Sequence, residues 1–180
     1  METHSPNDEE LLACFDESGR EIEPRTRSEV HQKPYSIFHA VTDIWIIDKH
    51  GKLLCSKRAD FVSGNPGKWQ TFFGGHVRAG ESFLETAQRE LMEELGFSID
   101  IAQLILIEEG KADEYKHFYK KFVFRSECKP EDLRFVDGEV QAARWLDFDE
   151  YQRERALRPE NWCNGMNASQ YKIILTKLSI

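Results

Sequence analysis

One stretch of the chain decides its fold, because it carries a loop, a helix and both helix ends. Residues 75–97 read GHVRAGESFLETAQRELMEELGF. Ser82 and Glu85 form the Ser-x-x-Glu pattern of a capping box, which predicts that a helix begins there. Leucines then recur at helical spacing, and Gly96 suits the left-handed position that follows a helix end. The stretch therefore predicts a loop followed by an amphipathic helix.

This helix carries an unusual group of acidic residues. Glu90, Glu93 and Glu94 are spaced i, i+3 and i+4, so they share one face within an arc of roughly 100°. Like charges at this spacing destabilise a helix by roughly 0.2–0.5 kcal/mol per pair. A local rule broken without evident gain indicates a functional site, and hard divalent cations bind carboxylate oxygens. Arg89 is spaced to pair with Glu85 and Glu93. The alternative interpretation is an ordinary solvated acidic face.

The same stretch resembles the signature of Nudix hydrolases. Each position that the signature specifies matches at the right spacing, namely Gly75, Glu81, Arg89, Glu90, Leu91, Glu93, Glu94, Gly96 and Phe97. The resemblance extends over about residues 36–146. It implies a Nudix fold, which is an α/β fold: an α/β/α sandwich with a central mixed β-sheet. It also implies hydrolysis of a diphosphate linkage, typically in a nucleoside diphosphate joined to another group.

The resemblance further implies a metal site that holds Mg²⁺ or Mn²⁺. Its ligands would be Glu90, Glu93 and Glu94, joined by the main-chain carbonyl of Gly75. Arg89 would be a catalytic residue that orients the glutamates, and the residues Gly80 and Glu81 would be structural. Glu90 or Glu94 would take the proton from the attacking water, unless a later carboxylate does so. The later candidates, each also readable as a surface charge, are Glu108, Glu109, Glu114, Asp137 and Glu139.

Basic side chains near the predicted site are candidates for substrate binding. Lys57 and Arg58 end a predicted strand, and Arg78 and His76 lie in the loop before the helix. An ordinary structural role is about as good an interpretation for each of them. Trp69 and Trp162 are candidates for stacking on a base, although core packing is the favoured interpretation because large aromatic residues are mostly buried.

The rest of the chain predicts a mixed sheet with late helices. Residues 1–35 are expected to form an N-terminal extension with a candidate β-hairpin, and residues 36–180 the Nudix hydrolase domain. The predicted strands are 11–16, 36–47, 53–57, 69–73, 97–108, 115–124 and 140–146. Two further helices are expected after Asp147, to about Leu157, and over 168–178. Substrate choice is expected to depend on three loops, 59–68, 110–116 and 158–167.

Composition excludes several classes of protein. The chain has 180 residues, of which 40% are hydrophobic and 31% are charged, and its net charge is −8. This predicts a folded domain without a membrane span and without stable binding to nucleic acid. The polar, acidic start does not resemble a signal peptide, and four widely separated cysteines predict reduced thiols, so a cytoplasmic location is expected. The expected partner is a small-molecule diphosphate, and a homodimer is expected by family analogy alone.

Two other functions remain open from the sequence. The N-terminal region resembles isopentenyl-diphosphate isomerase, a branch of the same superfamily in which histidines and glutamates hold a metal. His31, His39 and His76 are the matching histidines here. In that enzyme a cysteine precedes the Gly-His pair, whereas this chain has Gly74. The second alternative is a non-catalytic domain that senses a nucleotide, although such domains often lose the glutamates.

Overall fold

The computed structural model describes residues 8–180. These residues form eight strands and four helices, with short 3₁₀ turns between some of them. In chain order the elements are β1 (Leu11–Phe15), β2 (Glu21–Thr26), α1 (Arg27–Val30), β3 (Phe38–Ile47), β4 (Leu53–Arg58), β5 (Trp69–Gln70), α2 (Phe83–Leu95), β6 (Ile105–Ala112), β7 (His117–Arg125), β8 (Val140–Leu146), α3 (Phe148–Leu157) and α4 (Ala168–Leu178). None of the helices in this range is long and apolar enough to cross a membrane.

Strand β3 organises the sheet. It pairs in parallel with β7 along the whole of β7, and β7 pairs antiparallel with β6. The antiparallel hairpin of β1 and β2 joins β3 through β1. Strand β4 meets β3 only where Ile47 faces Leu53, and it carries β5 and β8 as antiparallel partners. The sheet is therefore mixed, and the predicted fold class is confirmed.

Helices cover both faces of the sheet. Alternate residues of a strand point to opposite faces, so β3 contributes apolar side chains to a core on each side. Ile44 and Ile46 of β3 belong to one core, which also contains the apolar side of α2. Trp45 and Ile47 belong to a second core, with residues of α3 and α4. The arrangement is an α/β/α sandwich in which α2 lies on one face and α3 and α4 lie on the other.

Two strand predictions were wrong in their bounds. The predicted strand 97–108 begins only at Ile105, because the Asp100 side chain caps a 3₁₀ turn over Ile101–Gln103. The strand then continues to Ala112, so the first part of the predicted loop 110–116 is strand. Strand β5 ends at Gln70, after which the chain follows β3 through single bridges such as that between Phe73 and Ile44.

The N-terminal hairpin packs against the loop that precedes α2. The main-chain N–H of Ala13 donates to the Val77 carbonyl at 2.9 Å, and Leu12 forms a bridge with Arg78. The division of the chain at residue 35 stays a proposal, and the first seven residues of the extension lie outside the described residues. The hairpin therefore holds the loop 76–79 between β1 and β3.

Candidate active site

Local signals in the sequence set both ends of α2. The Ser82 hydroxyl accepts a hydrogen bond from the Glu85 N–H at 3.3 Å, and the Glu85 carboxylate accepts one from the Ser82 N–H at 2.8 Å. This is the predicted capping box, and it is confirmed. Gly96 ends the helix with a φ of +73°, a conformation that favours glycine. With both ends fixed and Leu91 and Leu95 buried, the rotation of the helix fixes where its glutamates point.

Two glycines allow close approaches beside the site, Gly74 to β3 and Gly75 to α2. A Cβ added at Gly74 would lie 2.2 Å from the Thr42 carbonyl oxygen, and one added at Gly75 would lie 2.5 Å from Oε1 of Glu90. Only glycine therefore fits at either position without a shift. The Gly74 N–H donates to Oε2 of Glu94 at 3.2 Å. Glu90 and Glu94 thus both lie against the Gly74–Gly75 turn.

The carbonyl of Gly75, a predicted metal ligand, already has one partner. It accepts a hydrogen bond from the Thr42 N–H at 2.9 Å, as part of the contact between the loop and β3. A carbonyl oxygen has two lone pairs, so this bond leaves one of them available. The bond also fixes the direction of the carbonyl.

Arg89 lies at the centre of the acidic group. Its guanidinium donates to Glu81 at 3.0 Å, to Glu90 at 2.8 Å and to Glu93 at 2.9 Å. It also donates to the carbonyl of His76 at 3.1 Å, which ties the loop to the helix. One planar cation therefore positions three carboxylates and a main-chain oxygen.

The expected pair between Arg89 and Glu85 does not form. The carboxylate of Glu85 is taken up by the capping box, and Glu81 occupies the place at Arg89 instead. Glu81 also accepts from the Thr86 hydroxyl at 2.8 Å. These contacts agree with the structural role that the family resemblance implies for Glu81.

Burial makes negative charge costly at this site. It raises the pKa of the Glu90 carboxyl to about 7, although the charge of Arg89 and its hydrogen bond act in the opposite direction. Burial also raises the pKa of Glu94 well above its ordinary value, and the charge of Glu90 adds to this effect. Two buried carboxylates that repel each other are stabilised by a nearby cation.

The residues present fit a hard divalent cation. Oε2 of Glu90 and Oε1 of Glu94 make no hydrogen bond or ion pair within residues 8–180, and oxygen is the donor that Mg²⁺ and Mn²⁺ prefer. Glu93 differs from them, because Arg89 holds its Oε2 and Arg78 lies 3.5 Å from its Oε1. The structure therefore places Glu90 close to Gly75 and Glu94 close to Gly74, and it turns Glu93 toward the two arginines.

The predicted substrate-binding residues have different surroundings. The Arg58 Nε donates to the Gly64 carbonyl at 2.6 Å, and its charge opposes the rise that burial causes in the pKa of Glu94. Lys57 pairs in register with Trp69 and makes no ion pair in the described chain. Arg78 pairs with Glu10 of the extension.

His76 contributes its carbonyl to Arg89, while its ring turns away from the glutamates. Nε2 of His76 lies 3.0 Å from Nε2 of His31, and the His76 ring stacks on that of His39 with 5.2 Å between their centres. Ligand atoms of these three histidines lie within 4.8 Å of one another. Burial lowers the pKa of each of them, to about 3 for His39, so they are neutral imidazoles. Neutral histidines in such a group suit a borderline cation such as Zn²⁺.

Among the later carboxylates, Asp137 comes near the helix. The N–H groups of Val136 and Asp137 donate to the Glu93 carbonyl at 3.0 and 3.2 Å, and the charge of Asp137 raises the pKa of Glu94. Glu108 instead accepts from Tyr119 and Gln170 in a separate network. Only the tertiary fold brings residues 136–137 to the helix, so no local signal could separate Asp137 from the other four candidates.

Comparison with known proteins identifies the family. The profile of the NUDIX domain matches residues 37–163. An isopentenyl-diphosphate Delta-isomerase of Serratia proteamaculans is 30% identical over 161 residues, with 86% of each chain covered. An uncharacterized Nudix hydrolase of Clostridium acetobutylicum is 31% identical over 157 residues, covering 81% of this chain and 74% of its own.

A solved structure shows the same fold. The crystal structure of DR0079 from Deinococcus radiodurans superposes with a TM-score of 0.66 at 20% identity, covering 82% of this chain and 90% of that one. The signature on α2, the mixed sheet and the match to the domain profile agree with one another. The chain belongs to the Nudix family.

Proposed function

We propose that the protein is a Mg²⁺- or Mn²⁺-dependent hydrolase that cleaves the diphosphate linkage of nucleoside diphosphate derivatives. The observation that carries this proposal is the packing of Glu90 and Glu94 against the Gly74–Gly75 turn, where each carboxylate keeps one oxygen without a hydrogen bond. A divalent cation bound there would neutralise charge on the diphosphate and favour ionisation of water.

The side chains around the cation site have distinct tasks. Glu90 and Glu94, with the Gly75 carbonyl, would hold the cation, and Glu93 would join them if its arginine contacts rearranged. Arg89 positions Glu90 and ties the helix to the loop through the His76 carbonyl. Arg58, whose charge opposes the rise in the pKa of Glu94, would bind a phosphate oxygen. One of three carboxylates, that of Glu90, Glu94 or Asp137, would accept the proton of the attacking water.

The experiment that tests the proposal is hydrolysis of a panel of diphosphate compounds with Mg²⁺ and with Mn²⁺, measured as the phosphate that added alkaline phosphatase releases from the monoester products. The single variants E90Q, E94Q and D137N then separate the tasks, with isothermal titration of Mn²⁺ measured alongside turnover. A cation ligand loses Mn²⁺ affinity and turnover together, whereas the proton acceptor loses turnover and keeps its affinity. Full metal-dependent turnover by E94Q would contradict the assignment. E131Q, which changes an exposed carboxylate, is the control.

A second candidate function has an observation of its own. The group of His31, His39 and His76 would suit a metal in an enzyme that resembles isopentenyl-diphosphate isomerase, and a relative of that name is 30% identical. Gly74 counts against this function, since it stands where the isomerase has a proton-handling cysteine. Incubation with isopentenyl diphosphate and Zn²⁺ decides between them: appreciable dimethylallyl diphosphate supports the isomerase, and phosphate release supports the hydrolase.

A nucleotide-sensing role predicts a third result. Such a domain would bind nucleotide tightly in calorimetry and release no phosphate from any compound of the panel. The retention of Glu90 and Glu94 at a turn built from glycines favours catalysis over sensing.

A further inference from the structure

Two apolar side chains, Phe61 and Val136, lie outside both cores on loops of the sheet. Phe61 is 74% exposed and Val136 is 66% exposed, which makes them two of the three most exposed large apolar side chains in residues 8–180. The third, Leu157, lies at the end of α3. Single exposed apolar residues are common on proteins, so the significance of this pair depends on what lies beside it.

Val136 is fixed to the helix that carries the glutamates. Its N–H donates to the Glu93 carbonyl at 3.0 Å, and the N–H of Asp137 donates to the same oxygen at 3.2 Å. Phe135 packs against the core that contains α2, so this segment lies on the same face of the sheet as the glutamates. The Asp137 carboxylate accepts from the Glu139 N–H at 2.9 Å, which closes the turn. Val136 therefore has a fixed place at the C-terminal end of α2.

Phe61 lies in a loop that is joined to the same turn. The Ala59 N–H donates to the Glu139 carbonyl at 2.7 Å, which holds the start of the loop. A Cβ built on Gly138 would lie 3.8 Å from Cζ of Phe61, so the ring lies beside the residue that follows Asp137. The exposed ring and the candidate proton acceptor are thus neighbours in space.

The distance from this ring to the metal site suits a nucleotide. Through Asp137 and Gly138, the Phe61 ring comes within about 14 Å of the Glu93 carbonyl, because one residue step adds only about 3.8 Å. An extended nucleoside diphosphate has a similar length from its base to its second phosphate. With the diphosphate at the metal site, the base of such a compound is within reach of Phe61.

We propose that Phe61 binds the base of the nucleotide substrate by stacking on it, with Val136 as a second apolar contact. This rests on the proposed function, because it places the nucleoside part of the same diphosphate compound. Aromatic side chains stack on every base, so Phe61 would favour nucleotides over base-free diphosphates without selecting one base. Trp69 and Trp162, the candidates for stacking named from the sequence, pack instead in the core on the opposite face.

Binding is tested by replacing Phe61 with 4-fluorophenylalanine and recording its ¹⁹F NMR signal. The probes are the α,β-methylene analogues of ADP and UDP with Mg²⁺, whose P–C–P linkage is not hydrolysed. Methylenediphosphonate is the base-free control. Both nucleotide analogues are expected to shift the fluorine signal, whereas methylenediphosphonate should leave it in place. A signal that neither nucleotide analogue moves would overturn the proposal.

Variants test the same contact through turnover. For a nucleoside diphosphate derivative, F61A is expected to raise KM about tenfold and to leave kcat unchanged, because stacking on the base is lost. V136A should raise KM less, and F61W, which keeps an aromatic ring, should keep KM near that of the wild type. L157A is the matched control, because Leu157 is also 74% exposed but belongs to a helix on the other face. An F61A variant with the KM of the wild type would overturn the proposal.

A substrate without a base separates the failure of this contact from the failure of the hydrolase. With methyl diphosphate, F61A should match the wild type in both KM and kcat, with the products measured by chromatography. An equal rise in KM for both compounds would overturn the contact with the base. Shifted fluorine signals in a protein that hydrolyses no diphosphate compound would overturn the hydrolase proposal and support the base contact.

Discussion

At the scale of single residues, the site depends on its glycines as much as on its acidic side chains. A Cβ at Gly75 would lie only 2.5 Å from Oε1 of Glu90, so any larger residue would have to move that carboxylate. The carbonyl of the same residue accepts from the Thr42 N–H and is a proposed ligand of the cation. Its small size and its main-chain oxygen therefore serve one purpose, and a substitution should disturb both.

Gly75→Ala is expected to displace Glu90 and to lower metal-dependent turnover at least tenfold, since a shift of the ligand misplaces the reacting groups. Mn²⁺ affinity, measured by isothermal titration, should fall as well. Gly64→Ala is the matched control, because its added Cβ would meet Arg58 Nη2 only at 3.9 Å, an ordinary contact. Equal turnover in the two variants would contradict the close packing.

Arg89 is the second residue on which the site depends. Arg89→Ala would leave Glu81, Glu90 and Glu93 without their shared cation, so we expect the free energy of unfolding to fall by about 3 kcal/mol at pH 8 without metal. Urea denaturation followed by circular dichroism measures this loss. Arg89→Lys keeps the charge but cannot reach all the acceptors at once, so its loss should be intermediate. If Arg89→Ala had the same free energy of unfolding as the wild type, the network would contribute nothing to stability.

At the scale of elements, α2 was the most predictable part of the molecule. Its capping box, its leucines and Gly96 are all local signals, so its bounds follow from the sequence alone. The strand predicted over 97–108 failed, because apolar residues there are interrupted by the Asp100-capped turn. The position of Asp137 at Glu93, and of Gly138 beside Phe61, depends on contacts between distant segments. No short pattern of residues carries that information.

The cap of α2 makes its own prediction. Ser82→Ala removes the acceptor for the Glu85 N–H, so the free energy of unfolding should fall by about 1 kcal/mol. Ser63→Ala, in an exposed loop, should leave it unchanged. Thermal unfolding of both variants measures the difference. A Ser82→Ala variant as stable as Ser63→Ala would indicate that packing alone holds the first turn.

At the scale of the whole molecule, the two faces of one sheet carry groups of opposite chemistry. The glutamates of α2 lie on one face, and His39 and His76 point to the other beside His117. Burial shifts the pKa values of both groups toward the uncharged form. The stability of the fold is therefore expected to depend on pH in two opposing ways.

The histidines reduce stability in acid. Their pKa values are lowered in the folded protein, so the unfolded chain binds more protons, and the stability that they contribute above pH 6.5 is lost as the pH falls below it. Glu90 acts oppositely. Its pKa is raised to about 7, so its contribution is complete below about pH 4.5 and is lost as the pH rises through 7.

The variant Glu90→Gln isolates the second effect in EDTA. At pH 8 without metal, the free energy of unfolding of Glu90→Gln should be about 1–3 kcal/mol higher than that of the wild type, because a buried charge is removed. Near pH 5 the two should converge. Mg²⁺ should restore the stability of the wild type at pH 8. It should raise the Tm of the wild type more at pH 8 than at pH 5.5, since protons compete with the cation for the same oxygens. E131Q, with its exposed carboxylate replaced, should follow the wild type at each pH. A Mg²⁺ effect on Tm that is equal at both pH values, or retained in Glu90→Gln, would contradict a cation at this carboxylate.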